Sequence, residues 1–367
     1  MKVNTISLNS VRLNTIALNH IGEIRSGGGG SKPSPIPQWI REHIVFYYDV
    51  KKQGATNETL KESAYLQDLS GKGRRMKLNN FLFAEMSGVG GYNDNFSNWK
   101  TDSNNGVVKI ESDSSIVMQS VKIEYRGILY QDSSKNATLK CNITGITEEL
   151  KGKLIFRYTD AEGGKNITLE NGYFEFNSSE YEGLSGWYGF TSKQPIDNCN
   201  ITITQIPEYP GALVTDGADD YGLVENLSSG VKMLFMTVNP IGDYNSRKDY
   251  YSQIKKYGDD FRVIAHPKDI AYNYENPNNV TYINGVLNKS IYPEELFDIK
   301  HTFTIVNNAV PLSEDRTCVF FRYNLGGAYY SRIAFYNSIA FDSIPTEADG
   351  FTEQELIDYV LTNIIGQ

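Results

Sequence analysis

Between Tyr209 and Asn226 the chain reads YPGALVTDGADDYGLVEN, and few folds accommodate such a stretch. An apolar run, Ala212-Leu213-Val214, meets Asp216-Gly217-Ala218-Asp219-Asp220 and leaves as Tyr221-Gly222-Leu223-Val224. Asp-Gly supplies the positive φ of a tight turn, and Asp219 and Asp220 can accept from nearby backbone N–H groups. The spacing predicts a β-hairpin. A second turn signal, Asn284-Gly285, sits inside 279–287, and Asn-Gly between strand-like runs is the strongest short hairpin signature. Met233 to Val238 reads as a core strand and Arg332 to Tyr336 as a late one, while Ile44-Val45-Phe46-Tyr47-Tyr48 is too apolar for a strand covered on one face only. With 25 Tyr and 17 Phe, composition also favours sheet.

Taken in order, the chain opens on pentads: VNTIS, LNSVR, LNTIA, LNHIG. Apolar residues recur every fifth position, Leu8, Leu13 and Leu18 in one column and Ile16 in another. A period of five suits a narrow β-solenoid whose open ends need a partner, so 1–26 is expected to be an anchor, the alternative being a disordered low-complexity tail. Residues 27–38 combine a glycine run with Lys-Pro-Ser-Pro-Ile-Pro, a flexible joint followed by a stiffer spacer. From Trp39 the pattern turns globular. Thr56 or Asn57 is a candidate helix cap, and Leu78 to Phe83 reads as a strand. At the far end, Thr352 and Glu355 form a capping box with Phe351 and Leu356 as its staple, and Leu356, Val360 and Ile364 share one helix face.

Residues 93–207 carry their own series of short alternating segments, around Val107, Val121 to Tyr125, Ala137, Leu154, Tyr173 and Cys199. Six or more such strands describe a second β-sandwich, similar in arrangement to carbohydrate-binding-module jelly rolls. The expected organisation is one sandwich from 39–92 and 208–367, split by the inserted sandwich 93–207.

Several classes of function are disfavoured. A net charge of −9 with no long basic run argues against nucleic acid, and no stretch is long and apolar enough to span a membrane. The N-terminus lacks the apolar core of a signal peptide, so synthesis in a bacterial cytoplasm is expected. Cys141, Cys199 and Cys318 lack metal-ligand spacing and read as free thiols, a Cys141–Cys199 bridge being the alternative. No strand offers the paired carboxylates of a glycosidase, the four histidines are scattered, and no activated nucleophile motif occurs, so no enzyme is expected. By residue type the candidate sugar platforms are Trp99, Trp187, Tyr188 and Tyr244, though Trp and Tyr are mostly buried and each reads more readily as core. Asp216, Asp219 and Asp220 read either as a charged turn or as oxygen ligands for Ca²⁺; no other cofactor is expected.

ALVTDGADDYG resembles the early strand pair of concanavalin A-like lectin/glucanase sandwiches, the laminin-G-like group. There the pair follows a Tyr-Asp strand and an Asp-x-Ser-Gly loop, present here as Phe46-Tyr47-Tyr48-Asp49 and Asp68-Leu69-Ser70-Gly71. Together with the pentads, IVFYYDVKKQGATNETL, MKLNNFLFAEMSGVGGY and AFYNSIAFDSIPTEADGFTEQELI, the order of parts resembles virion structural proteins of Bacteroidetes phages and prophages. That resemblance implies a fibre or decoration subunit held in the virion by its N-terminus and presenting lectin-like domains to host surface glycans. It also implies other virion proteins as partners and a homo-oligomer, a trimer. The competing readings are a glycan-degrading depolymerase and an architectural spacer without ligand.

Overall fold

The computed structural model describes residues 37–227, 231–241, 250–255, 261–266, 269–272, 279–287, 298–307, 316–323, 329–346, 349–350 and 352–366. The pentads, with Leu8, Leu13, Ile16 and Leu18, lie outside them. The protein is mainly β, built from antiparallel sheets with a short C-terminal helix. Contacts divide the chain into two compact units. One takes the described residues up to Phe83, then Ser87–Val89 and Gly211 onward; the other takes Ala84–Met86 and Gly90–Pro210.

The first unit is a sandwich of an eight-stranded and a seven-stranded sheet. Its central strands Ile333–Phe341 and Met233–Pro240 pair along most of their length, and Ile44–Asp49 also pairs with the former. Phe46, Tyr48, Leu234, Met236, Phe303 and Phe335 meet Val224, Cys318 and Phe320 of the other sheet in the core. On its opposite face the eight-stranded sheet presents Tyr47, Phe235, Val306, Ile339 and Phe341. The C-terminal helix covers that face with Leu356, Ile357, Val360, Leu361 and Ile364. This second layer is why Ile44–Asp49 and Met233–Pro240 are buried on both faces and read as continuous apolar runs.

The helix, Glu353–Tyr359 with a wider turn through Val360–Ile365, starts at Thr352, whose hydroxyl accepts from the Glu355 N–H while Glu355 reaches back to the Thr352 N–H at 2.7 Å. Phe351, the expected staple partner, lies outside the described residues. At the other end the Lys52 ammonium donates to the Ile364 carbonyl and to the Tyr47 hydroxyl. Thr56, rather than Asn57, caps the helix Asn57–Ser63; the Asn57 side chain is buried and accepts from the Val89 N–H at 2.7 Å.

Two expectations here need correction, and a third holds. The turn 215–220 does not close a hairpin. Leu213–Val214 pairs with Ala334 and Phe335 and with Gly88 and Val89 in the eight-stranded sheet. Tyr221–Leu227 pairs with Met76–Asn79 and Arg316–Phe320 in the other sheet. Gly217 takes φ 75° and Asp220 accepts from the Asp216 N–H, as read, but the connection crosses between layers. The strand expected over 78–83 ends at Asn79, because Asn80 (φ 67°) and Phe83 (φ 52°) take left-handed conformations that break extended pairing. Asn284 and Gly285, at φ 51° and 81°, do form the tight hairpin between Asn279–Ile283 and Val286–Leu287.

The second unit is a sandwich of two five-stranded antiparallel sheets. Phe156, Tyr188 and Phe190 of one sheet, with Trp99, meet Phe176, Leu139, Cys141, Ile201 and Ile203 of the other in its core. The strand expected over 121–125 runs instead over Ser115–Val121; Tyr125, at φ 55°, lies in the turn that follows. Cys141, Cys199 and Cys318 are free thiols, and the Cys199 thiol donates to the Met118 carbonyl.

Candidate functional site

Two of the four candidate platforms are core residues. Trp99 is 4% exposed and its indole N–H donates to Asp94 at 2.9 Å. Tyr188 is fully buried, its hydroxyl donating to the Lys135 carbonyl. Both sit in the aromatic centre of the second unit, so neither can stack on a ligand. Trp187 is half-buried with its ring against Tyr130, centroids 5.7 Å apart. Tyr244 lies outside the described residues.

The aspartates do come together, with ligand atoms of Asp216, Asp219 and Asp220 within 4.8 Å of one another. Asp220 is fully buried. Its two oxygens accept from the Ser87 hydroxyl at 3.0 Å and from the Asp216 N–H at 2.9 Å, and Asn80 Nδ2 donates to the Asp219 carbonyl. Burial pushes the Asp220 carboxyl up to about 7, opposed by those two hydrogen bonds and reinforced by the Asp216 charge. Calcium takes six to eight oxygens, mostly ionised or carbonyl. Here both oxygens of the most buried carboxylate are committed to bonds that close the turn, so the donor set fits a self-bonded crossover.

A different arrangement emerges on the outer face of one sheet of the second unit, ordered Gly172–Asn177, Thr138–Thr144, Ile201–Gln205, Ser115–Val121, Gly106–Ser112. Phe174 and Phe176 point into the core, so Tyr173 and Glu175 point out. The register places Tyr173 opposite Asn142, Asn142 opposite Thr204, and Thr204 opposite Ser115. These four side chains form one row across four strands. At a strand spacing of about 4.8 Å the row is about 14 Å long. Tyr173 is 62% exposed, Asn142 and Thr204 are exposed, and Ser115 is half-buried.

Neighbouring groups fix the ring. The Tyr173 hydroxyl donates to Glu175 Oε2 at 2.6 Å, a bond that pushes the phenol up to about 12. Glu175 stands opposite Lys140, which pairs with Glu208 at 2.8 Å, and the Ser115 and Thr204 hydroxyls lie 3.2 Å apart. An exposed aromatic side chain beside amide, hydroxyl and carboxylate groups is what a sugar ring needs: stacking on its apolar side and hydrogen bonds at its rim. Reading by residue type missed Tyr173. The signal that finds it is the alternation Tyr-Phe-Glu-Phe, which assigns the two phenylalanines inward. The same unit has a cleft of about 710 Å³ between its 145–153 and 195–200 loops, lined by Thr147, Glu149, Lys153 and Asp197 among others but by no aromatic side chain.

No family model matches the chain, and no curated protein matches it. Among solved structures, allantoicase is similar over 81% of this chain and 89% of its own at 9% identity, with a TM-score of 0.17. A likeness of that size carries no argument.

Proposed function

We propose that the protein is a non-catalytic subunit of a virion surface, a fibre or decoration protein whose second sandwich binds saccharide chains. The observation that carries the binding reading is the open row Tyr173, Asn142, Thr204, Ser115. A strand spacing close to the length of one pyranose ring lets successive sugars of an extended chain meet successive strands. The virion assignment rests on the order of sequence parts described above, with the N-terminal pentads as the attachment to the particle. Glycan-array binding of the full chain tests the proposal. Tyr173→Ala should lower affinity for the best glycan at least tenfold with an unchanged melting temperature, since the Tyr173 side chain is 62% exposed. Binding that is undiminished by Tyr173→Ala, or no glycan binding at all, overturns the saccharide reading.

A further inference from the structure

Among the described residues, the strand Gly106–Ser112 ends its sheet, pairing with Ser115–Val121 and with no strand on the other side. Among the described residues, no backbone group of 107–111 bonds outside that ladder. An edge of this kind is a template for another strand. Its side chains are unusual for a solvated edge: Val107 is 41% and Ile110 36% exposed, and Lys109 and Glu111 pair with each other at 2.7 Å on the outer face. A lone lysine on an edge blocks pairing, because a second copy brings a second lysine opposite or leaves an ammonium beside apolar groups. Here the same strand carries the compensating charge two residues on.

We infer that two copies of this protein associate edge to edge through this strand, antiparallel about a two-fold axis at Ile110. Side-chain alternation restricts a symmetric pairing to registers in which a residue faces its own copy. Centring on Lys109 sets two ammonium groups opposite each other, and centring on Glu111 sets two carboxylates opposite; both are destabilising. Centring on Ile110 sets each Lys109 opposite the other copy's Glu111, and Ile110 against Ile110 on the core side. The pattern Lys-Ile-Glu is therefore self-complementary in one register only. The ladder's register shifts, between Val107 and Val108 and between Ile110 and Ser112, bend the strand and keep the paired stretch short, about Val108 to Ser112. Joining the edges makes one ten-stranded sheet from two five-stranded ones. The inference does not depend on what the outer face binds.

Sedimentation equilibrium of the full chain tests it through charge exchange. Lys109→Glu should halve the assembled mass, because two carboxylates then face each other twice. The double variant Lys109→Glu with Glu111→Lys should restore it. Association through other parts of the chain is common to all three proteins and leaves the ratio intact. Equal masses for wild type and Lys109→Glu, or a folded double variant that stays at half mass, overturn the pairing. Mild oxidation of Ile110→Cys gives an independent readout: facing residues in antiparallel strands lie about 4.5 to 5.5 Å apart at Cα, within disulfide reach. Ile110→Cys should cross-link to its copy and Val107→Cys, placed opposite Asp113, should not. Failure of the first to cross-link, or equal cross-linking of both, also overturns it.

Discussion

Asp220 shows how one residue's role changes when distant chain closes over it. Read along the chain it is the third acid of an exposed turn, but Ser87, 133 residues earlier, supplies a hydroxyl to it and the fold seals it from water. Its carboxyl pKa, raised by burial to about 7, exceeds the unfolded value of about 4. The neutral acid therefore contributes stability that is fully present below about pH 4 and is lost as pH rises through about 7. Asp220→Asn, uncharged at every pH, should remove that part of the pH dependence in thermal melts between pH 4 and 8. Asp220→Ala should melt lower throughout, since the Ser87 hydroxyl and Asp216 N–H lose their acceptor, at a cost of about 1–3 kcal/mol each. If the Asp220→Asn profile overlays the wild type, another group carries the dependence. Added Ca²⁺ or chelator should leave the melt unchanged.

Among elements, the C-terminal helix is the most fully legible in sequence and the most informative about its neighbours. Thr352 and Glu355 announce its start, and the spacing of Leu356, Val360 and Ile364 announces its buried face; all three are at most 1% exposed. What it packs on was not legible, because the strands beneath it are apolar on both faces and their partners are set by pairing across some 300 residues. Lys52 bonds the last turn's carbonyl, where a cation suits the helix dipole, and burial lowers its pKa. Leu356→Ala should cost about 2–5 kcal/mol through the cavity it leaves. Thr352→Ala should cost about 1 kcal/mol through the lost cap. Chemical denaturation of the two variants checks both size and order; a Thr352→Ala loss exceeding that of Leu356→Ala would mean the helix is held by its cap rather than its face.

For the whole molecule, the point of insertion is itself a paired geometry. Val89 faces Leu213 in adjacent antiparallel strands, so the chain leaves the first unit and returns to it one strand spacing away. Joining Val89 directly to Gly211 would leave Gly211 and Ala212 as a two-residue loop, with glycine where a tight hairpin tolerates positive φ; Gly211 already has φ 76°. Deletion of 90–210 should therefore yield a soluble protein with one cooperative unfolding transition. Aggregation or non-cooperative melting of that product would show that the first unit needs the second to fold.

Short-range chemistry alone determines strand content, the Asn284-Gly285 hairpin, the capping box and the amphipathic last helix, which all follow from residues within a few positions of one another. The mainly β sandwich class follows as well, since alternation and turn spacing are local properties. Pairing partners are not local. Whether Leu213–Val214 and Tyr221–Leu227 join one sheet or two depends on which strands from elsewhere reach them first, and the same turn serves either outcome. Aromatic side chains are equally ambiguous in sequence. Trp99 and Tyr188 went to the core and Tyr173 to the surface because inward direction is set by the pleat and by the opposing sheet, neither of which residue type encodes.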